Sequence, residues 1–423
     1  MTAEIAVLNR TAVALAADSA STSLQATGLP KIFNTADKLF HLDGVSPIGI
    51  MVYGNSHFMG VPWETIIKKY RGIAANPSAR LDEAADKFLT YLSSPALFSD
   101  QHINQWLEMH IRELAAEAAR LVIAEKRRLR SATPPQPVNT VCADLLARVA
   151  VWPLLPNAAQ TDIDAFIAQW QTALADAISA AFAADPLDAS EQQTIKKIIA
   201  RVILSEPQPT DGLISGVVLA GFGEDELFPV LWNCHVRSVL TSRVLQRTPP
   251  QSWPLQLPTG AMIQPFAQAE MVHSFMNGID PNLRQTVENA VSNLVQRFSD
   301  HLANISGLGG AALSLLKANA STTAASLNQG FRDEIEKYCR EKHVDPVLAA
   351  IALLPKDELA LMAETLVSLT SFKRKMSRDA ETVGGDIDVA VISKGDGFIW
   401  VKRKHYFPPE LNLRYIERIK EHP

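Results

Sequence analysis

The chain has 423 residues, 47% of them apolar and 20% charged, an ordinary composition for a water-soluble globular protein with one large domain or two. A formal charge of −5 excludes a general nucleic-acid binder, because counterion release needs a clustered basic surface. No apolar run approaches the roughly 18–20 residues that cross a bilayer, and the three cysteines (Cys142, Cys234, Cys339) and ten histidines show neither CxxC nor HExxH spacing. No disulfide framework, metal or other cofactor is therefore expected.

The chain opens MTAEIAVLNRTAVALAADSAST. EIAVLN and AVALAAD read as two short strands around the polar turn Asn9-Arg10-Thr11. The segment has the outline of a secretory leader, with Arg10, TAVALAA and the small-residue ADSAS. However, Glu4 precedes the arginine and the apolar stretch is near the minimum length, so a cytoplasmic chain is expected. After an irregular stretch, KLFHL alternates, DGVSP supplies turn residues and IGIMVYG reads as a buried strand. PWETIIKKY follows as a helix with Val61, Ile66, Ile67 and Tyr70 on one face and Pro62 in its first turn.

From His102 to about Arg130, Ile103, Leu107, Ile111, Leu114, Ala118 and Leu121 recur at helical spacing. The basic run Lys126-Arg127-Arg128-Leu129-Arg130 closes that helix, where cations complement the helix dipole. Alanine-rich helical patterns occupy 141–205. GLISGVVLAGFG and LFPVLWNCHV then read as consecutive strands with a turn at Gly223-Glu224-Asp225. A second helical block has the stripe Val287, Val291, Leu294, Phe298, Leu302 and Ile305, a core or partner face. It runs through GLGG, which lacks a preceding strand and a GKS/T ending and so is no phosphate cradle. The helix PKDELALMAETLVSLTSFKRK leads through SRDAETVGG to the hairpin DIDVAVISKGDGFIWV, with its turn at 394–397. GLISG is not a GxSxG elbow.

Thr2, Ile5-Ala6-Val7 and Ala16-Ala17-Asp18-Ser19, followed by Lys38 at a strand start and by Tyr53-Gly54 before a helix, resemble proteasome β-type subunits. These are N-terminal-nucleophile (Ntn) hydrolases, and the chain looks like a bacterial proteasome-like member with helical insertions. Arg378-Asp379-Ala380-Glu381-Thr382 before Gly384-Gly385 resembles the family's Arg-Asp-x-x-Ser-Gly-Gly segment, with Val383 as an extra residue. GLISGVVLAGFG resembles the strand carrying a supporting serine, but the register puts Val217 there and Ser215 two residues earlier. Lys31, in KIF, is a rival to Lys38, whose distance to Gly54 lies closer to the family pattern.

The resemblance implies an α+β chain: a four-layer αββα Ntn-hydrolase sandwich with two mainly helical insertions. Its core would be discontinuous, 1–100, 211–285 and 356–423, with insertions at 101–210 and 286–355. That core of about 240 residues is a comfortable single domain. It implies catalytic roles for Thr2, Asp18, Lys38, Gly54, Asp379 and Thr382, and substrate contacts from Ser21, Thr22, Val52 and Ser56. Residue chemistry points the same way. A threonine hydroxyl is a weak nucleophile that needs a base, and removal of Met1 would give Thr2 an α-amine with pKa near ~8. Lys38 would stabilise the forming alkoxide, Asp18 would hold Lys38, and the Gly54 N–H would bind the oxyanion.

Ser21 and Thr22 would pair substrate backbone, and Val52 would favour an apolar side chain before the scissile bond. Expected partners are a peptide or protein substrate, further copies of the chain in a homo-oligomer, and a separate ATP-dependent unfoldase if folded proteins are degraded. No nucleic acid or membrane is expected. Two alternatives stay open: an Ntn amidase acting on a small amide, and a catalytically silent scaffold that binds partners through its helical insertions.

Overall fold

The structure, a computed structural model, describes residues 2–24, 30–74, 76–155, 159–206, 212–240, 243–246, 250–255, 260–303, 310–377, 383–405, 407–408, 411–414 and 417. In chain order, β1 (Ala3–Asn9) and β2 (Ala12–Ala17) form a hairpin, β3 (Ser21–Leu24) and β4 (Pro30–Phe33) a small ribbon, and β5 (Leu39–His41) and β6 (Ile48–Gly54) a second hairpin. The short strands β7 (His57–Phe58) and β8 (Val61–Pro62) lead into α1 (Trp63–Arg71) and α2 (Leu81–Leu92). A helical block follows: α3 (Asp100–Arg130), α4 (Val141–Ala150), α5 (Gln160–Gln169), α6 (Gln171–Ala181) and α7 (Ala189–Leu204).

Strands return as β9 (Ser215–Gly221), β10 (Val230–Leu240), β11 (Arg243–Gln246), β12 (Gln251–Pro254) and β13 (Ala261–Ala267). The second block holds α8 (Glu270–Asn277), α9 (Pro281–Ala303), α10 (Gly310–Cys339), a π-helical turn (Arg340–Val344) and α11 (Asp345–Ile351). Helix α12 (Lys356–Met376) and the hairpin β14 (Asp388–Ser393) and β15 (Gly397–Lys402) complete the described elements.

One antiparallel sheet has the order β13-β1-β2-β14-β15; the other runs β11-β10-β9-β6-β5, with β12 also on β10. Side chains alternate along a strand, and β1 puts both of its faces to use. Ala6 and Leu8 meet Met51 of β6 and Val218 of β9 between the sheets. Ala3, Ile5 and Val7 pack instead against Leu359, Ala363 and Val367 of α12. A strand buried on both faces reads as an unbroken apolar run, which is why AVALAA in β2 carries no polar residue.

The outer face of the second sheet, with Ile50 and Val52, packs on Ile66 and Ile67 of α1 and Phe88 of α2. Each such aliphatic side chain contributes about 1.5–3 kcal/mol when fully buried. The same cluster continues into Ile111 of α3, Ile178 of α6 and Ile198 of α7, so the first helical block shares the core of the sheet it covers. Arg237 of β10, itself buried, ties the two together. Its guanidinium donates to the carbonyls of Val202 (3.1 Å), Ile203 (2.5 Å) and Ser205 (3.1 Å) at the end of α7, where a helix leaves carbonyls unpaired.

Three local expectations differ from the structure. Pro62 stands one residue before α1, as its N-cap with φ −58° and ψ 137°, rather than in the first turn. β13 is an edge strand that its interior Pro265 masks in sequence, and an edge is where proline is tolerated. The stripe on α9 is not a core face along its length: Leu294 is 69% and Phe298 63% exposed. Packing on α10 leaves them uncovered in a single chain; Ile305 and the side chain of Leu302 lie outside the described residues.

Candidate active site

Thr2 immediately precedes β1, and its carbonyl accepts the Gln268 N–H at 3.1 Å, extending the pairing of β1 beside β13. Alternation places Thr2 and Glu4 with Ala6 and Leu8 on the face turned toward the second sheet. Asp18 follows the end of β2, beside Thr2 because β1 and β2 pair with Glu4 opposite Ala17. Lys38 stands one residue before β5, its carbonyl accepting the Val52 N–H at 2.9 Å. Two hairpins, one from each sheet, thus bring four side chains together, and all four are at least nine-tenths buried.

The Lys38 ammonium donates to Thr2 Oγ1 and, at 2.6 Å, to Asp18 Oδ1. The Thr2 hydroxyl lies 2.7 Å from Asp18 Oδ1 and 2.5 Å from Glu4 Oε1. Asp18 is saturated: Oδ1 also accepts the Ala3 N–H (3.0 Å), and Oδ2 accepts those of Ala20 (3.2 Å) and Gly384 (2.9 Å). Glu4 is not. Its Oε1 lies 4.0 Å from Lys38 Nζ, and its Oε2 is buried with no hydrogen-bond partner among the described residues. Burial therefore pushes the Glu4 carboxyl up to about 8; the Lys38 charge opposes the rise and the Asp18 charge adds to it.

This cluster lies at the wall of a cavity of about 440 Å³ lined by Thr2, Lys38, Val52, Gly54, Ser21 and Ser56 among others. Gly54 has φ +83°, and a Cβ there would stand 2.6 Å from the Ile214 carbonyl oxygen, so glycine is required on both counts. The following turn is pinned by Ser215, whose hydroxyl donates to the Asn55 carbonyl (2.9 Å) and accepts from Trp63 Nε1 (2.9 Å). Val217, at the register of the supporting serine, is an apolar core residue facing Val52 and Cys234 across its neighbours. Ser215 serves the Asn55 turn rather than Thr2.

Of the residues singled out in sequence, Thr2, Asp18 and Lys38 touch one another, while Gly54, Ser21, Val52 and Ser56 line the adjoining cavity. Lys31 does not join them. It is exposed on β4, its ammonium 4.9 Å from the Phe33 ring centroid. Asp379, Thr382 and the side chain of Thr22 lie outside the described residues, although Gly384 next to that segment does reach Asp18. The cavity wall is more polar than Val52 alone implies, with Thr35, Asp37, Asn55, His57 and Glu64 also lining it.

Glu4 was not among the residues expected at the site. Its signal is present, however: in TAEIAVL both alternating sets are otherwise apolar or small, so a carboxyl within them is buried on either face. Thiols are poor candidates for the nucleophile. Burial pushes Cys142 up to about 11 and Cys234 to about 12, which keeps both protonated at neutral pH. No family model matches the chain, nor does any curated protein.

Proposed function

We propose that this chain is a proteasome-like N-terminal threonine hydrolase of peptide or amide bonds, with Thr2 as the nucleophile after removal of Met1. One observation carries the reading: the Thr2 hydroxyl accepts a hydrogen bond from a lysine that an aspartate holds, beside an open cavity. A terminal threonine so placed has what acyl transfer needs. A base, the α-amine in the mechanism the resemblance implies, takes the hydroxyl proton as Oγ1 attacks the carbonyl carbon. The carbonyl electron pair moves to oxygen, where Lys38 and the Gly54 N–H would offset the charge. Collapse expels the amine, and water hydrolyses the resulting ester.

The fold supports the same reading. Two antiparallel sheets share one core, and each packs its other face on helices, the arrangement expected of an αββα Ntn-hydrolase sandwich with helical insertions. The exposed apolar side chains of the second helical block favour a homo-oligomer; the three cysteines without CxxC spacing suit a cytoplasmic setting, and a separate unfoldase would supply folded substrates. A cavity of about 440 Å³ also suits a small amide, and a panel spanning short amides to decapeptides separates amidase from peptidase.

The deciding experiment couples intact mass with a β-lactone electrophile directed at threonine. Processed wild-type chain is expected to lack Met1 and to carry one acyl adduct on Thr2; Thr2→Ala carries none. A processed chain that never labels, or a fully active Thr2→Ala, overturns the reading and favours a silent scaffold.

A further inference from the structure

Three side chains, Lys38, Asp18 and Glu4, converge on the Thr2 hydroxyl, and one of them has no part in the mechanism above. Glu4 approaches Oγ1 more closely than Asp18 does, at 2.5 Å against 2.7 Å. A hydroxyl has a single proton to give, so it cannot donate to both carboxylates at once. Asp18 receives donors on both oxygens, from Lys38 and three backbone N–H groups. With both oxygens so engaged, Asp18 has a positioning role, holding Lys38 and the backbone around Thr2. Glu4 has the opposite surroundings. No backbone donor reaches it among the described residues, and Oε2 is buried without a partner.

We propose that the Glu4 side chain, rather than the chain's α-amine, is the catalytic proton acceptor and donor for Thr2. This rests on the reading of Thr2 as nucleophile. Ionised Glu4 takes the hydroxyl proton as the Oγ1–carbonyl carbon bond forms and the carbonyl electrons move to oxygen. The neutral acid then gives that proton to the amine nitrogen as the C–N bond breaks. In the second half, Glu4 takes a proton from the attacking water and returns it to Oγ1 as the ester breaks, so protons and bonds balance over the cycle. Lys38 takes no part in these transfers and donates to Oγ1 and Asp18. A carboxyl buried enough to hold its proton into the neutral range suits both halves, since an acid–base catalyst works best near the operating pH.

The groups facing Glu4 set its titration. Lys38 favours the anion, Asp18 disfavours it, and Tyr53, its own phenol pushed up to about 12 chiefly by burial, is neutral across the relevant range. Because the carboxylate is the active base, the rate rises with pH as Glu4 loses its proton and levels off above about 8.

The test is the pH profile of kcat/KM for wild type, Glu4→Gln, Glu4→Asp and Thr2→Ala, using a fluorogenic peptide cleaved by the wild type. Glu4→Gln is expected to lose about 100-fold or more together with the rising limb of the pH profile, with circular dichroism unchanged. Glu4→Asp should recover part of the rate with a displaced limb. If Glu4→Gln stays within about threefold of wild type and keeps the limb, the proposal fails and the amine is the base. Should Glu4→Gln not fold, Glu4→Asp with unaltered rate and profile overturns it equally. Failure of the nucleophile reading looks different: Thr2→Ala would then be as active as wild type.

Discussion

At Thr2, one hydroxyl is held by a lysine and flanked by two carboxyls whose surroundings push them to opposite roles. Glu4 has a consequence for stability. Its carboxyl titrates near 4.5 when exposed and near 8 in the fold, so between these values the folded chain holds an extra proton. Stability therefore declines as pH rises through this window, by up to about 1.4 kcal/mol per unit, and levels off above it. Urea midpoints for wild type against Glu4→Gln from pH 4.5 to 8 should show the slope only in the wild type. Lys38→Met removes the cation that offsets Asp18 and is expected to cost about 3 kcal/mol or more and at least about 100-fold in turnover, read by urea unfolding and peptide cleavage. Thr2, Asp18 and Lys38 were legible because each is a recognisable residue at an expected strand end. Glu4 was passed over because the strand pattern marks it as buried on either face but does not say which polar groups it meets there.

Among the elements, long periodic ones were legible and irregular ones were not. The hairpins β1–β2, β5–β6 and β14–β15 follow alternation and turn chemistry, and α12 its amphipathic period. β3, β4 and β13 were missed: the first two are four residues each, and Pro265 interrupts the third. Arg237 shows what an element pattern conceals. In VLWNCHVRSVL it reads as the solvent-side residue of a strand, yet it is buried against the end of α7. Arg237→Met leaves those three carbonyls without this donor and is expected to cost about 2–4 kcal/mol. Chemical denaturation should show it, with peptide cleavage by the remaining folded fraction little changed.

For the whole molecule, the two sheets and their helices are closed around shared cores, while the second helical block keeps apolar side chains outside. Leu294 and Phe298 of α9 and Leu315 and Leu327 of α10 are each more than half exposed. In the proposed homo-oligomer, the paired changes Leu294→Glu and Phe298→Glu should lower the assembled mass in mass photometry without altering the circular dichroism. An unchanged mass would remove α9 from the interface. Strand and helix order, the Thr2–Asp18 hairpin and the candidate lysine are written in local patterns, since alternation, turn residues and helical period act over a few neighbours. The meeting of Glu4 with Lys38, the rejection of Lys31 and the burial of Arg237 depend on which faces pack. That is settled by non-local burial, to which no short stretch of chain is sensitive.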